Sequence, residues 1–156
     1  MSRSKARAGF SLLELVVALG IVAITSGVVM THWTAPNQER QQLEQDAQRL
    51  ASSIRYAQQM TVQGSPTQVR ITTNDVGIYI PVNANSNFFR SRERWRFADG
   101  IEMYYTNARD FRFEFTARGT TRHGGATTRL SSPNYRTYLT TTVSGGRVNI
   151  GAITPR

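Results

Sequence analysis

One apolar stretch limits what this chain can fold into more than any other feature. Residues 10–31, FSLLELVVALGIVAITSGVVMT, are apolar almost throughout, whereas the residues on both sides are polar. A helix of this length covers roughly 33 Å at about 1.5 Å per residue, enough to cross a hydrocarbon layer of about 30 Å. The sequence therefore predicts a single membrane-spanning helix at residues 10–31.

The flanks of this stretch predict its orientation and its fate. Arg3, Lys5 and Arg7 precede it and favour a cytoplasmic N-terminus, which places residues 32–156 outside the cytoplasm. Secretory signals carry their small-residue cleavage site after the apolar core, but here the small residue, Gly9, comes before it. We therefore expect the apolar helix to be kept after processing.

Glu14 lies inside the apolar run, where an ionisable side chain costs a few kcal/mol and marks a functional position that needs a cation nearby. The sequence Gly9-Phe10-Ser11-Leu12-Leu13-Glu14 resembles the class III signal of type IV prepilins and type II secretion pseudopilins. The alternative is a plain signal anchor with an accidental Glu. The resemblance implies that a prepilin peptidase removes residues 1–9, cleaving between Gly9 and Phe10, and methylates Phe10. It also implies that Glu14 offsets the N-terminal ammonium of a neighbouring subunit during assembly.

A second helix is predicted at residues 38–63, after a segment in which Pro36 either kinks the first helix or restarts it. Its apolar positions recur at alternating steps of four and three, which is typical of one buried stripe. These positions are Leu43, Ala47, Leu50, Ile54, Ala57 and Thr61. Gly64-Ser65-Pro66 is expected to end the helix.

From Thr67 onward the apolar period changes to two, which predicts strands. The predicted strands are 68–71, 76–80, 94–97, 101–105, 111–115, 138–143 and 147–150. Phe111, Phe113 and Phe115 are expected on one face, 116–133 as a loop, and the last two strands as a hairpin with a Gly-Gly turn. A long helix followed by an antiparallel sheet is an α+β fold.

Residues 49–60, RLASSIRYAQQM, and the final hairpin with Gly-Gly-Arg-Val resemble the GspH/FimT group of minor pseudopilins and minor pilins. This resemblance implies a pilin-like fold, in which the amphipathic half of the long helix packs on the sheet. The middle third of the chain carries no matching motif.

Nothing in the sequence indicates an enzyme, a cofactor, a metal site or a small-molecule substrate. The chain has no cysteine, and its two histidines, His32 and His123, have no second ligand at metal-binding spacing. Gly124-Gly125 and Gly145-Gly146 lack the Lys-Ser/Thr pair of a phosphate-binding loop.

The stretch Arg90-Ser91-Arg92-Glu93-Arg94-Trp95-Arg96 is a candidate anion or DNA site. The net charge is +9, and in an extended conformation Arg90, Arg92, Arg94 and Arg96 would face one way, with Glu93 and Trp95 on the other side. Arginines contact the phosphates of a nucleic acid regardless of its base sequence, and aromatic residues between the arginines can stack on bases. The alternatives are a solvated strand edge that discourages aggregation, or a patch that matches acidic neighbouring subunits.

Some FimT-like minor pilins bind DNA during uptake through a C-terminal Gly-Arg-x-Arg motif. Here the corresponding residues are Gly146-Arg147-Val148-Asn149, so Arg147 is present but Asn149 replaces the second arginine, and Arg156 lies too far along to replace it. This departure favours a secretion or assembly role over DNA binding.

These resemblances together imply a minor pseudopilin of type II secretion, held in the bacterial inner membrane and assembled near the tip of a periplasmic filament. Expected partners are the prepilin peptidase, other pseudopilins or pilins, and exported proteins. A FimT-like minor pilin that acts in pilus assembly or DNA uptake is the alternative.

Overall fold

A computed structural model describes residues 12–83, 86, 88–142 and 146–156, with the backbone alone described for residues 25–36. The chain divides into two compact units, Met1–Asn37 and Gln38–Arg156. Helix α1 runs from Leu12 to Val62, so Pro36 lies within it and does not restart it. Nine strands follow within the described residues. They are β1 (Gln68–Ile71), β2 (Asp75–Pro81), β3 (Phe89–Arg96), β4 (Glu102–Thr106), β5 (Arg112–Glu114), β6 (Ala126–Ser131), β7 (Tyr135–Thr141), β8 (Val148–Ile150) and β9 (Thr154–Pro155).

The predicted stripe of α1 is the centre of the core. Leu43, Ala47, Leu50, Ile54 and Ala57 are fully buried, which confirms the alternating spacing. The helix ends as predicted, because Gly64 adopts φ 92° and the N–H of Ser65 donates to the carbonyl oxygen of Met60 at 2.9 Å. Thr61 then links the helix end to the next segment, since its Oγ1 accepts from the N–H of Thr67 at 3.0 Å.

The strands form two antiparallel sheets, which we call the first and the second sheet. The first has the order β3-β2-β1-β5, and the second has the order β4-β6-β7-β8, with β9 also paired to β7. One hydrophobic cluster includes residues from α1 and from both sheets, among them Leu50, Val69, Phe113, Leu130 and Leu139. The α+β class is therefore confirmed, with two sheets in place of the single sheet that the alternation suggested.

Two predictions in the second half of the chain were wrong. Residues 116–133 are not only loop, because β6 occupies Ala126–Ser131 and pairs with both β4 and β7. Phe111 does not share a face with Phe113 and Phe115: it is 56% exposed, whereas the other two are each 3% exposed. The cause is a turn at Arg109–Phe111, where Asp110 and Phe111 have φ of 51° and 57° and interrupt the strand alternation.

The C-terminal hairpin is confirmed, because Leu139, Thr140 and Thr141 pair with Ile150, Asn149 and Val148. Residues 143–145, including the first glycine of the predicted turn, lie outside the described residues. The second glycine, Gly146, has φ 57°, and an added Cβ would meet the Gln58 side chain and the carbonyl oxygen of Gly119. Only glycine fits there, because the backbone conformation is left-handed and the space is already filled.

Candidate functional site

Glu14 lies in the first turn of α1 and is exposed. The cleavage-site residues Gly9 and Phe10 lie outside the described residues. The assembly role of Glu14 therefore stays a prediction.

The helical segment around Glu14 exposes its apolar side chains. Every large aliphatic residue of this segment that the structure describes is at least 54% exposed. These residues are Leu12, Leu13, Leu15, Val16, Val17, Leu19, Ile21, Val22 and Ile24. A helix that is apolar all round is normally buried in a large core or in a membrane.

Within the residues whose side chains are described, no helix is long and apolar enough to cross a membrane.

The arginine-rich strand β3 does not present a single cationic face. Arg94 and Arg96 lie on the outer face of the first sheet, where their guanidinium groups are 3.4 Å and 3.3 Å from the Asp75 carboxylate. Arg92 does not share this face with Arg94 and Arg96. The register shifts between Ile78 and Tyr79, which makes Arg92 the extra residue of a β-bulge. Its guanidinium carbon is 5.3 Å from the centre of the Tyr56 ring on α1.

The prediction of four aligned arginines is therefore wrong, and Trp95 is not available for base stacking. Trp95 is only 6% exposed, its Nε1–H donates to Ser53 Oγ at 3.3 Å, and the Arg49 guanidinium carbon is 4.5 Å from its ring centre. Arg90 remains exposed, and Glu93 is 3.9 Å from Arg49. Trp95 and its neighbours bind β3 to the helix, so this part of the strand is structural.

Arg147 is exposed on the C-terminal hairpin, next to the buried Val148. Arg55 on α1 lies close by, because its guanidinium donates to the Val148 carbonyl oxygen at 3.1 Å. The two arginines line a shallow groove of about 380 Å³ together with Asn149. The exposed Arg147 is accessible to an anion, whereas the neighbouring Asn149 contributes no positive charge to the groove.

His123 lies close to a carboxylate, since its Nε2 is 3.2 Å from Glu114 Oε2. No group of three potential metal ligands occurs among the described residues. The side chain of His32 lies outside the described residues.

Two buried or half-buried carboxylates were missed by sequence reasoning, because neither stands in a motif. Asp46 is 9% exposed and accepts the N–H of Ala98 at 2.8 Å. Burial raises the pKa of the Asp46 carboxyl above its ordinary value of 3.8, against the opposing effects of that hydrogen bond and of the charge of Arg49. For Glu39, desolvation acts to raise the pKa, but hydrogen bonds from Ser132 and Asn134 together outweigh it and lower the pKa.

Residues 4–30 match the family described as "Prokaryotic N-terminal methylation motif". The chain carries a prepilin-type signal. This match supports a relationship to the pilins and pseudopilins, and with it processing by a prepilin peptidase and assembly with other pilins. No curated protein and no solved structure is significantly similar to the chain. The match covers the N-terminal segment alone. The GspH/FimT resemblance of the compact unit Gln38–Arg156, which we call the globular unit, therefore stays a prediction.

Proposed function

We propose that this protein is a minor pseudopilin of a type II secretion system, a structural subunit without a reaction of its own. The methylation motif at residues 4–30 carries the proposal. An α-helix followed by antiparallel sheets, the layout of the described residues, supports it. The preference for secretion over a pilus rests on the GspH-like resemblance and on the incomplete Gly-Arg-x-Arg motif.

In this proposal a prepilin peptidase cleaves between Gly9 and Phe10 and methylates the new N-terminus. Residues 10–31 hold the subunit in the inner membrane until it enters the filament, where apolar helices from several subunits pack together. Leaving the membrane without such packing would expose the large aliphatic surface of Leu12–Ile24 to water, at about 25 cal/mol per Å². The globular unit would then lie on the outside, near the tip, where it meets exported proteins.

The processing step is tested by mass spectrometry of the mature chain purified from the bacterium. We expect an N-terminal methylated Phe10, and we expect Gly9→Leu to retain residues 1–9, because the bulky side chain blocks the peptidase. Ser11→Ala, a small change two residues away, is the control and should be processed normally. An N-terminus other than Phe10 in the wild-type protein would refute the proposal.

The role of Glu14 is tested by Glu14→Val. The variant should insert into the membrane, since its helix is more apolar, but assembly should fail because a neighbouring ammonium is left buried without its partner, at a cost of several kcal/mol. Glu14→Asp, which keeps the charge, should retain part of the assembly. Cross-linking of the variants to neighbouring subunits in cells measures this, and normal assembly of Glu14→Val would contradict the assigned role.

A FimT-like minor pilin that binds DNA is the second candidate, favoured by the exposed Arg147 beside Arg55. It predicts that the full chain binds duplex DNA at micromolar strength in physiological salt and that Arg147→Gln abolishes this. We expect only the weak, salt-sensitive binding of any basic protein.

Deleting the gene separates the two candidates. Loss of exoprotein secretion supports the pseudopilin, whereas normal secretion with lost twitching or transformation supports the minor pilin.

A further inference from the structure

The outer face of the first sheet carries a row of arginines that runs across the strands. The registers place Arg94 opposite Gly77, Gly77 opposite Arg70, and Arg70 opposite Arg112. Residues directly opposite each other in an antiparallel pair share a face and lie about 5 Å apart. Arg70 and Arg112 are therefore immediate neighbours on one surface.

Like charges in this arrangement destabilise a sheet unless an anion lies between them. Within the described residues, neither Arg70 nor Arg112 makes a salt bridge, whereas Arg94 is paired with Asp75. The nearest carboxylate along β5, Glu114, is already shared by Arg122 and His123 at 4.0 Å and 3.2 Å. Among the described residues, the two arginines thus form a cationic pair that makes no salt bridge to a carboxylate.

The side chain of Arg70 is held in place by its surroundings. Its Nε–H donates to Gln68 Oε1 at 3.2 Å, and its guanidinium carbon is 4.6 Å from the centre of the Tyr79 ring. Tyr79 in turn covers Gly77, where an added Cβ would come within 2.6 Å of the ring. A guanidinium fixed in this way loses little conformational entropy when it binds a carboxylate.

Both arginines line a groove of about 390 Å³ that also has an apolar wall. Met103 and Phe111 contribute to that wall, and Asp110 lies at the same groove without a salt bridge to either arginine among the described residues. Phe111 is 56% exposed because the left-handed turn at Asp110 and Phe111 turns it out of the strand. A bulky residue with positive φ is rare, and such outliers concentrate at sites of recognition.

We propose that this groove, which we call the Arg70–Arg112 groove, binds a carboxylate that lies next to an apolar side chain on an acidic segment of another protein. The paired guanidinium groups suit a bidentate carboxylate, and the exposed Phe111 suits the apolar neighbour. Duplex DNA fits less well, because its phosphates lie on a convex rod, whereas this site is a small concavity. The inference goes beyond the proposed function, since it holds for a secretion filament and for a pilus alike.

The test uses the full chain in detergent micelles and a defined probe, the peptide acetyl-Ala-Glu-Phe-Ala-amide. We expect it to shift the NMR signals of the arginine Nε–H groups of Arg70 and Arg112 in a saturable titration. The matched peptide with Gln in place of Glu should bind at least about tenfold more weakly, because it lacks the charge that strengthens these hydrogen bonds.

Two variants and one matched control make the test specific. Arg112→Gln and Phe111→Ala should each weaken the Glu peptide about tenfold or more. Arg136→Gln removes the same charge from an exposed position on the second sheet and should leave the affinity unchanged. Equal weakening by Arg112→Gln and Arg136→Gln would mean that only net charge matters and would overturn the proposal. Displacement of the peptide by a duplex 20-mer at lower concentration than the peptide itself would overturn it in favour of nucleic acid.

Discussion

At the residue scale, Phe111 is where the backbone departs most from what the sequence suggests. Phe111 and Asp110 both adopt positive φ, and a left-handed conformation costs a residue with a Cβ about 1–2 kcal/mol. Asparagine and aspartate adopt this conformation more often than other residues, whereas for a bulky residue such as phenylalanine it is an outlier. The strain is therefore concentrated at an exposed aromatic residue that adds little to the core.

Substituting Phe111 separates this strain from packing. We expect Phe111→Gly to be more stable than Phe111→Ala by about 1 kcal/mol, because only glycine adopts φ 57° without strain. The order is the reverse of that in a regular strand, where alanine is the better residue. Urea denaturation of both variants measures the difference, and an alanine variant of equal or greater stability would show that the turn is not strained.

The buried Asp46 predicts a pH dependence. Its pKa is raised in the folded protein, so the folded state takes up a proton at higher pH than the unfolded chain does. Lowering the pH from 7 to the ordinary value of 3.8 should therefore raise the stability of the wild type relative to Asp46→Asn, which has nothing to protonate. The measurement is the free energy of unfolding of both proteins across this pH range. A difference between wild type and variant that stays constant, or that shifts in favour of the variant as the pH falls, would contradict the prediction.

The sequence predicted side-chain positions well where one period held and poorly where it broke. Leu43, Leu50 and Ile54 were identified as core because α1 keeps its spacing without interruption. Arg92 and Phe111 were misplaced because a bulge and a left-handed turn each shift the alternation. The bulge at Arg92 contains no Gly, Pro, Asn or Asp that would reveal it, and the turn contains only Asp110 as such a signal.

At the scale of elements, β6 shows why the second sheet was missed. Its sequence, ATTRLS, does alternate, with Ala126, Thr128 and Leu130 buried. Threonine on the inner face and arginine on the outer face give little hydrophobic contrast, and the flanking Gly, Ser and Pro favour a loop. The pairing of β6 with β4 and β7 comes from tertiary packing, which no local window contains.

The C-terminal hairpin offers a prediction with a matched control. Gly146→Ala should destabilise the globular unit more than Gly124→Ala, by about 1–3 kcal/mol, because both change a left-handed glycine but only Gly146 is packed against other atoms. At Gly124 an added Cβ meets nothing within 4 Å. Thermal unfolding of the two variants measures the difference, and equal costs would mean that the hairpin does not pack closely on α1.

At the scale of the whole molecule, the N-terminal segment and the globular unit differ in how much their sequences reveal. A short motif fixes the class of the N-terminal segment, because cleavage and methylation require particular residues at particular positions. The globular unit has no such requirement, since many sequences bury one helix stripe on two sheets. Its candidate groove became visible only through the cross-strand pairing of Arg70 and Arg112, which are far apart in sequence.

The single core of Gln38–Arg156 predicts that both sheets unfold together. Leu50 is fully buried in the cluster that includes residues of both sheets. Leu50→Ala should therefore lower the free energy of unfolding by about 2–5 kcal/mol and shift the urea midpoints of the first and second sheets by the same amount. Trp95 fluorescence, in a Trp33→Phe background, reports on the first sheet, and amide exchange at Leu139 reports on the second. Ser91→Ala, at an exposed position of β3, is the control. It should change the free energy of unfolding that either probe reports by no more than about 0.5 kcal/mol. Different urea midpoints for the two probes would mean that the sheets unfold independently. Sheets that share one core are expected to unfold in a single transition.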